Sequence, residues 1–306
     1  MPQSLSDLTA VVLNWRTPEQ TEKAASCLLA DGVPPERLVI VDNGSEDGSY
    51  SKLKESFPLA HVLGLPENVG FAAANNAGAA ALPGDAYLFV NSDAFVHEPG
   101  SVERLVSALE RDRVGLAVPR LLNPDLTLQP SVSPLRSPAV ALVQATGLSR
   151  LVPNRFQPSW STHWDHSRSR SVPYAVGAVI AASGPAWDEL RGFDESRLMY
   201  GEDLDLSWRA KRHGYRVWFA SDAVFVHIGN ASAGRRWTTP ERAEEVGRSE
   251  AQIIRRHSSP LLARLTIHCM AAGMNARAVV FSRLDRRPQA SACRAMARGL
   301  LSQGRD

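Results

Sequence analysis

Residues 37–49 read RLVIVDNGSEDGS, and the fold follows from how this stretch changes character at Asp42. Leu38 to Val41 form an unbroken apolar run, the composition of a buried strand. From Asn43 the chain turns polar, with Asn-Gly and Asp-Gly pairs that favour turns. A buried strand that ends on a carboxylate and falls into such a turn suits an α/β sheet, where ligands sit outside the carboxyl ends of the strands.

The neighbouring segments repeat the pattern. LTAVVL at 8–13 is a strand ending at Asn14, and a helix from Glu19 to Leu29 follows, with Pro18 in its first turn. HVLGL at 61–65 and AYLFVN at 86–91 are further strands, separated by an Ala-rich helix from Phe71 to Leu82. Strands alternating with helices predict right-handed βαβ crossovers and a Rossmann-like, mostly parallel central sheet flanked by helices. Asn14, Asp42 and Asn91–Asp93 then fall at strand ends and line one cleft. Beyond these come a helix at 100–112 and the strand GLAVPR at 115–120. Residues 123–172, rich in Pro, Ser and Trp, read as a long, partly mobile irregular excursion. Order resumes with VPYAVGAVIAAS at 172–183, a helix near 185–191 and the strand YRVWFA at 215–220, and the last sixty or so residues read as amphipathic helices.

The chain has 306 residues, 44% of them hydrophobic, enough for one large α/β core or two small ones. A net charge of +2 gives no sign of a nucleic-acid partner. From Arg248 to Asp306, however, eleven arginines stand against three acidic residues, so the rest of the chain is net acidic. Such asymmetry marks either a tail that meets an anionic surface or a solvated helical face, and both readings stay open. Cys27, Cys269 and Cys293 show no CxxC spacing, which fits a reduced, cytoplasmic protein without a zinc site. The N-terminus lacks the marks of a signal peptide, and no run of about 18 apolar residues occurs, so no membrane span is expected. Peripheral contact with the inner face of a membrane remains compatible with the basic tail.

The densest chemistry lies in Ser183–Trp208, where Gly201-Glu202-Asp203-Leu204-Asp205 sets three carboxylates at a helix start. A sugar hydroxyl ionises far above neutrality, so its attack needs a positioned base. Asp203 is the candidate, with Glu202 beside it; Asp205 either orients the acceptor or pairs with Arg209 at i+4. Asn91-Ser92-Asp93 offers one carboxylate to a hard divalent cation bridging a diphosphate, with Asn91 near the ribose or an outer-shell water. Asp42, beside Asn43, can accept the imide N–H of a uracil or thymine, or simply cap a turn. Asn68, Gly70, Phe71 and Asn75 open a helix where Gly70 lets backbone approach a ligand; Asn68 is equally an N-cap. His227 either completes the metal shell or is structural. Gly229 to Thr239 can close over a nucleotide, with Arg235 or Arg236 on its phosphates.

In this order VVLNW, VDNGSEDGS, ENVGFAAANN, LFVNSDA, the Gly177–Glu195 stretch, YGEDLDLSWR and VFVHIGNAS resemble the inverting family-2 glycosyltransferases of the GT-A fold. The likeness is greatest to rhamnosyltransferase-like members that build bacterial cell-wall or surface glycans. The resemblance covers roughly residues 8–240. It implies a catalytic domain over 1–245, with a nucleotide-sugar half at 1–120 and an acceptor half at 121–245, and leaves 246–306 as a basic helical extension. It also implies a UDP- or dTDP-linked donor contacted by Asn14, Asp42, Asn43, Asn68, Gly70, Phe71, Asn75, Asn91, Ser92, Arg235 and Arg236. Mg²⁺ or Mn²⁺ would be held by Asp93 and His227, Asp203 would be the general base, and Gly177, Phe193, Asp194 and Tyr200 would face a glycan or lipid-linked acceptor. Two departures stand out: the metal motif has a single carboxylate, and Arg191 sits where a second glycine is frequent before Gly192. A homodimer is compatible with the apolar face of the tail. A sugar-nucleotide nucleotidyltransferase and a non-catalytic sugar-nucleotide-binding protein are the alternatives; the former needs a Gly-rich loop after the first strand, where this chain has NWRTPEQ.

Overall fold

The computed structural model describes residues 5–146, 164–196, 200–229 and 239–302. They divide into two compact units, one of residues 1–131 with 164–232 and the other of 132–163 with 233–306.

In the first unit, β1 (Leu8–Asn14), β2 (Leu38–Asn43), β3 (His61–Leu65) and β4 (Ala86–Asn91) are parallel and lie in the order β3-β2-β1-β4. They are linked through α1 (Pro18–Ala30), α2 (Ser49–Ser56) and α3 (Phe71–Ala81). All of β2 and all but one residue of β1 are buried, because helices cover both faces of the sheet. Strand β3 is an edge strand and half-exposed. The contact of α3 with the sheet is very close: a Cβ on Gly78 would lie 2.6 Å from Val11 Cγ1 and 2.8 Å from Val41 Cγ2. Because β2 and β4 flank β1 on opposite sides, the order reverses at β1, and a crevice opens at the carboxyl ends of these strands.

The sheet continues with mixed polarity. β5 (Ala94–Val96), α4 (Ser101–Ala108), β6 (Val114–Leu122) and β7 (Leu128–Gln129) come next in the chain. After them the same unit contributes β9 (Arg170–Val172), β10 (Tyr174–Ala175), β11 (Val179–Ser183), α6 (Gly184–Leu190), α7 (Glu202–Arg212) and β12 (Arg216–His227). Strand β11 inserts antiparallel between β4 and β6, and β12 runs parallel to β6 and antiparallel to β5. Six principal strands share one direction, so the sheet is mostly parallel. The separate apolar runs at 215–220 and 223–226 are one strand, β12, with a register shift between Ala220 and Val224. Beneath β4 and β11, Phe89, Trp187 and Phe193 pack ring against ring, with centroids 4.5–5.2 Å apart.

The second unit holds β8 (Val132–Ser133), α5 (Pro138–Thr146), α8 (Thr239–His257), α9 (Pro260–Arg283) and α10 (Arg287–Leu301). Among the described residues, the expected irregular excursion at 123–172 therefore contains four short elements. Its helix α5 was hidden by its length and packs on α9, where a Cβ on Gly273 would lie 2.8 Å from Ala145 Cα. Residues 147–163 lie outside the described residues.

Candidate active site

The site is built on four strand ends. At the end of β1, Asn14 is fully buried; its amide donates to Asp42 Oδ1 at 2.6 Å and to Ser45 Oγ at 3.1 Å. Its Oδ1 accepts from the Thr21 hydroxyl at 2.8 Å and from Thr17 N–H at 3.3 Å. Ser45 in turn donates to Asp42 Oδ1 at 2.5 Å, and the Thr17 hydroxyl reaches Ser92 Oγ at 3.1 Å. This network ties the ends of β1, β2 and β4 together. Asp42 is only 4% exposed; its Oδ1 takes two short bonds, whereas Oδ2 has one long contact, 3.4 Å from Ser45 N–H.

A second cluster shapes the entry to α3. Asn43 Nδ2 donates to Asn68 Oδ1 and Gly70 O, both at 3.2 Å, while its Oδ1 accepts from Val69 N–H at 3.0 Å. Asn68 Oδ1 also accepts from Gly70 N–H at 3.0 Å. These side chains hold the 67–70 turn. A Cβ on Gly44, which has φ +64°, would overlap the backbone of Glu67 in that turn. Asn75, one turn into α3, is buried and donates to Phe71 O at 2.9 Å, and Phe71 meets Phe193 edge-on.

Asp93 and His227 are 134 positions apart and come together by strand pairing. Antiparallel β5 and β12 set His227 opposite Ala94, and Ile228 N–H donates to Asp93 O at 3.0 Å. His227 Nε2 then lies 3.3 Å from Asp93 Oδ1, and Asp93 is 6% exposed. The other ring nitrogen, Nδ1, lies 2.7 Å from Gln129 Oε1. A carboxylate oxygen and an imidazole nitrogen facing one point are suited to a divalent cation that takes its other ligands from phosphate and water. No group of three or more such side chains occurs among the described residues.

Asp203 sits in the first turn of α7, after Tyr200 and Gly201 with φ of 74° and 88°. A left-handed tyrosine costs about 1–2 kcal/mol, strain of the kind that gathers at functional sites. Asp203 Oδ2 accepts from Gly177 N–H at 2.9 Å and the Tyr174 hydroxyl at 3.3 Å, and Oδ1 accepts from Leu204 N–H at 2.7 Å. Burial pushes its carboxyl above the ordinary range, against the pull of those hydrogen bonds. A Cβ on Gly177 would lie 3.0 Å from Asp203 Cβ, so glycine keeps the carboxylate seated. One residue on, Ala178 O accepts from Asn91 N–H at 2.9 Å. The backbone that holds Asp203 is thus bonded to the first residue of the Asn-Ser-Asp motif.

Asp205 is buried and bonded to Arg209 at 2.6 Å, and Arg209 Nη1 donates to Leu190 O and, at 2.9 Å, to Gly192 O. Of the two roles open to Asp205, the structure shows the pair with Arg209, a brace for the turn at 190–192. Asn76 braces the same turn from α3, accepting from Phe193 N–H and donating to Phe193 O, both at 2.9 Å. Phe193 is enclosed in the aromatic cluster at 2% exposure, and Asp194 caps Ser196, its Oδ2 accepting from the Ser196 hydroxyl at 2.8 Å. Arg235 and Arg236 lie outside the described residues. Sequence reasoning missed Tyr174, Gln129, Ser45 and Thr17. Only Ser45, inside the DNGS turn, carried a local signal.

A βαβ half with its switch crevice, continued by a mixed sheet that brings an Asp–His pair to the same edge, defines a GT-A fold. The chain belongs to glycosyl transferase family 2, whose profile matches residues 15–170; that of glycosyl transferase family group 2 matches 126–249. It is 26% identical over 243 residues to an N-acetylglucosaminyl-diphospho-decaprenol L-rhamnosyltransferase of Mycobacterium tuberculosis, covering 74% of this chain and 78% of that one. A pre-mycofactocin glycosyltransferase of the same organism is 31% identical over 225 residues, 72% of this chain and 43% of that protein. Among solved structures, a mannosyltransferase of Pyrobaculum calidifontis in complex with GDP-Man and Mn²⁺ superposes with a TM-score of 0.60 at 16% identity, over 96% of this chain and 87% of that one. S. aureus TarS in complex with UDP-GlcNAc gives 0.55 at 16%, over 92% and 78%.

Proposed function

We propose that this glycosyltransferase moves a sugar, rhamnose or a near relative, from a UDP- or dTDP-linked donor to a hydroxyl of a glycan or lipid-linked acceptor in cell-surface polysaccharide synthesis, with inversion. The donor sugar and the lipid-linked acceptor are suggested by the rhamnosyltransferase relative. The observation that carries the reading is Asp203: a carboxylate in a desolvated niche, held by Gly177 and Tyr174, one backbone step from the strand end that bears Asp93. A carboxylate whose proton affinity is raised by burial is a better general base near neutral pH.

Asp203 would take the proton of the acceptor hydroxyl as its oxygen bonds to the anomeric carbon. The bond from that carbon to the diphosphate breaks, and its electron pair leaves on the phosphate oxygen. Attack opposite the leaving group inverts the centre. Asp93 and His227 would hold Mg²⁺ or Mn²⁺, which when bound supplies Lewis-acid stabilisation of the departing diphosphate. The crevice at Asn14, Asp42, Asn43 and Asn91 would receive the nucleoside, and Asp194 and Tyr200 would border the acceptor. The basic C-terminal helices would lie peripherally on the inner face of an anionic membrane.

Asp203→Asn tests the assignment. It should lower transfer by at least about 10³-fold, the upper part of the range for losing a positioned base, while UDP or dTDP still binds within a few-fold by calorimetry. Turnover near that of the unmodified enzyme would remove Asp203 from the base role.

A further inference from the structure

The side chain of Gln129 makes contacts that the proposed chemistry does not use. Its Nε2 donates to His227 O at 2.9 Å and to Asn123 Oδ1 at 3.0 Å. Asn123 is itself oriented, because its own amide donates to the Thr127 hydroxyl at 2.9 Å. Both amide protons of Gln129 are therefore directed at oxygen acceptors, and this fixes which end of the amide is oxygen. Its Oε1 must be the atom facing His227 Nδ1 at 2.7 Å. An amide oxygen only accepts, so Nδ1 carries the proton. In the neutral ring the lone pair is then on Nε2, the atom 3.3 Å from Asp93 Oδ1.

We infer that Gln129 is a positioning residue that selects the Nδ1–H tautomer of His227 and aims Nε2 at the cation site beside Asp93. The inference rests on the reading of Asp93 and His227 as cation ligands. With the opposite tautomer, an N–H would point into the site and the ring would need to transfer a proton before it could ligate. Residue position supports the role. Gln129 lies on β7, which pairs antiparallel with β6 through Leu121↔Gln129, while β12, ending at His227, runs on the other side of β6. The amide thus grips both the ring and the backbone carbonyl of one residue, fixing ring orientation as well as proton position. Outer partners of this kind typically contribute 10–100-fold to metal affinity.

Two measurements on the full chain test this. Nitrogen-15 NMR of the metal-free protein at mildly alkaline pH should show His227 with Nδ1 protonated, whether or not Nε2 also holds a proton against Asp93; a bare Nδ1 would overturn the inference. Titration with Mn²⁺, alone and with UDP, followed by electron paramagnetic resonance, should show Gln129→Leu binding roughly 10–100-fold more weakly than the unmodified chain. Equal affinity in Gln129→Leu would reduce Gln129 to packing. Failure of the unmodified chain to take up Mn²⁺ in either condition would instead remove the cation reading, and the inference with it.

Discussion

Asp203 joins two demands that oppose each other. Three hydrogen-bond donors favour its ionised form, while loss of water favours the protonated one, and burial wins. A carboxyl whose proton affinity is higher in the folded than in the unfolded chain makes the fold bind more protons. Below the ordinary value of 3.8 both states are protonated and the group is neutral in its effect. As pH rises past that value the unfolded chain ionises first, so stability is lost until the folded carboxyl has ionised too. Asp203→Asn cannot titrate there. The melting temperature of this variant minus that of the unmodified chain should therefore become more positive as pH rises from about 4 towards neutrality. A difference that is flat or falls with pH would contradict a raised carboxyl. The same shift should move the acid limb of the transfer rate above the ordinary carboxylate range.

At the scale of elements, what could be read from the sequence was whatever one segment decides alone. The runs at 8–13, 37–42 and 86–91 are β1, β2 and β4 because burial on both faces demands continuous apolar sequence, and their polar terminal residues fall in the crevice. Asp203 was legible because Glu202, Asp203 and Asp205 crowd one turn. Gln129 and Tyr174 were not, since their contacts with His227 and Asp203 form only when segments distant in sequence come together. The close crossing of α8 and α10 was equally hidden. A Cβ on Gly299 would overlap Glu244 O and lie 2.9 Å from Arg248 N, and one on Gly247 would overlap Met296 O. In an open helix Gly→Ala gains about 1 kcal/mol. Here the sign should reverse: Gly299→Ala is expected to lower the unfolding free energy, as overpacking does, by about 1–3 kcal/mol. Urea denaturation checks this, and a stabilised variant would show that the helices can separate without cost.

Across the whole molecule, charge and exposed apolar surface concentrate in the C-terminal helices. Helix α9 has no acidic residue, and Arg264, Arg277 and Arg283 on it are exposed. Along it and just beyond, Leu261, Leu265, Val279, Val280 and Leu284 are open to solvent, from 47% for Leu265 to 68% for Leu261. Leu261, Leu265, Ala272, Ala276 and Val279 recur at helical spacing and share one face. No described helix is long and apolar enough to cross a membrane. A largely aliphatic face, interrupted by His268 and accompanied by arginines with no carboxylate on the helix, matches the boundary of an anionic leaflet, where apolar side chains enter the acyl region and guanidinium groups meet phosphates. Each basic residue near such a surface contributes about 1 kcal/mol, so Arg264→Gln with Arg283→Gln should weaken partitioning roughly 30-fold. The chain is expected to sediment with phosphatidylglycerol vesicles at low salt and to be released as salt screens the attraction. Leu261→Asp with Leu265→Asp should abolish sedimentation without changing transfer to a water-soluble acceptor. If the unmodified chain stays in the supernatant at low salt, the leaflet is not its partner; if light scattering instead shows a dimer that this pair of substitutions dissolves, the stripe belongs to a second copy of the chain.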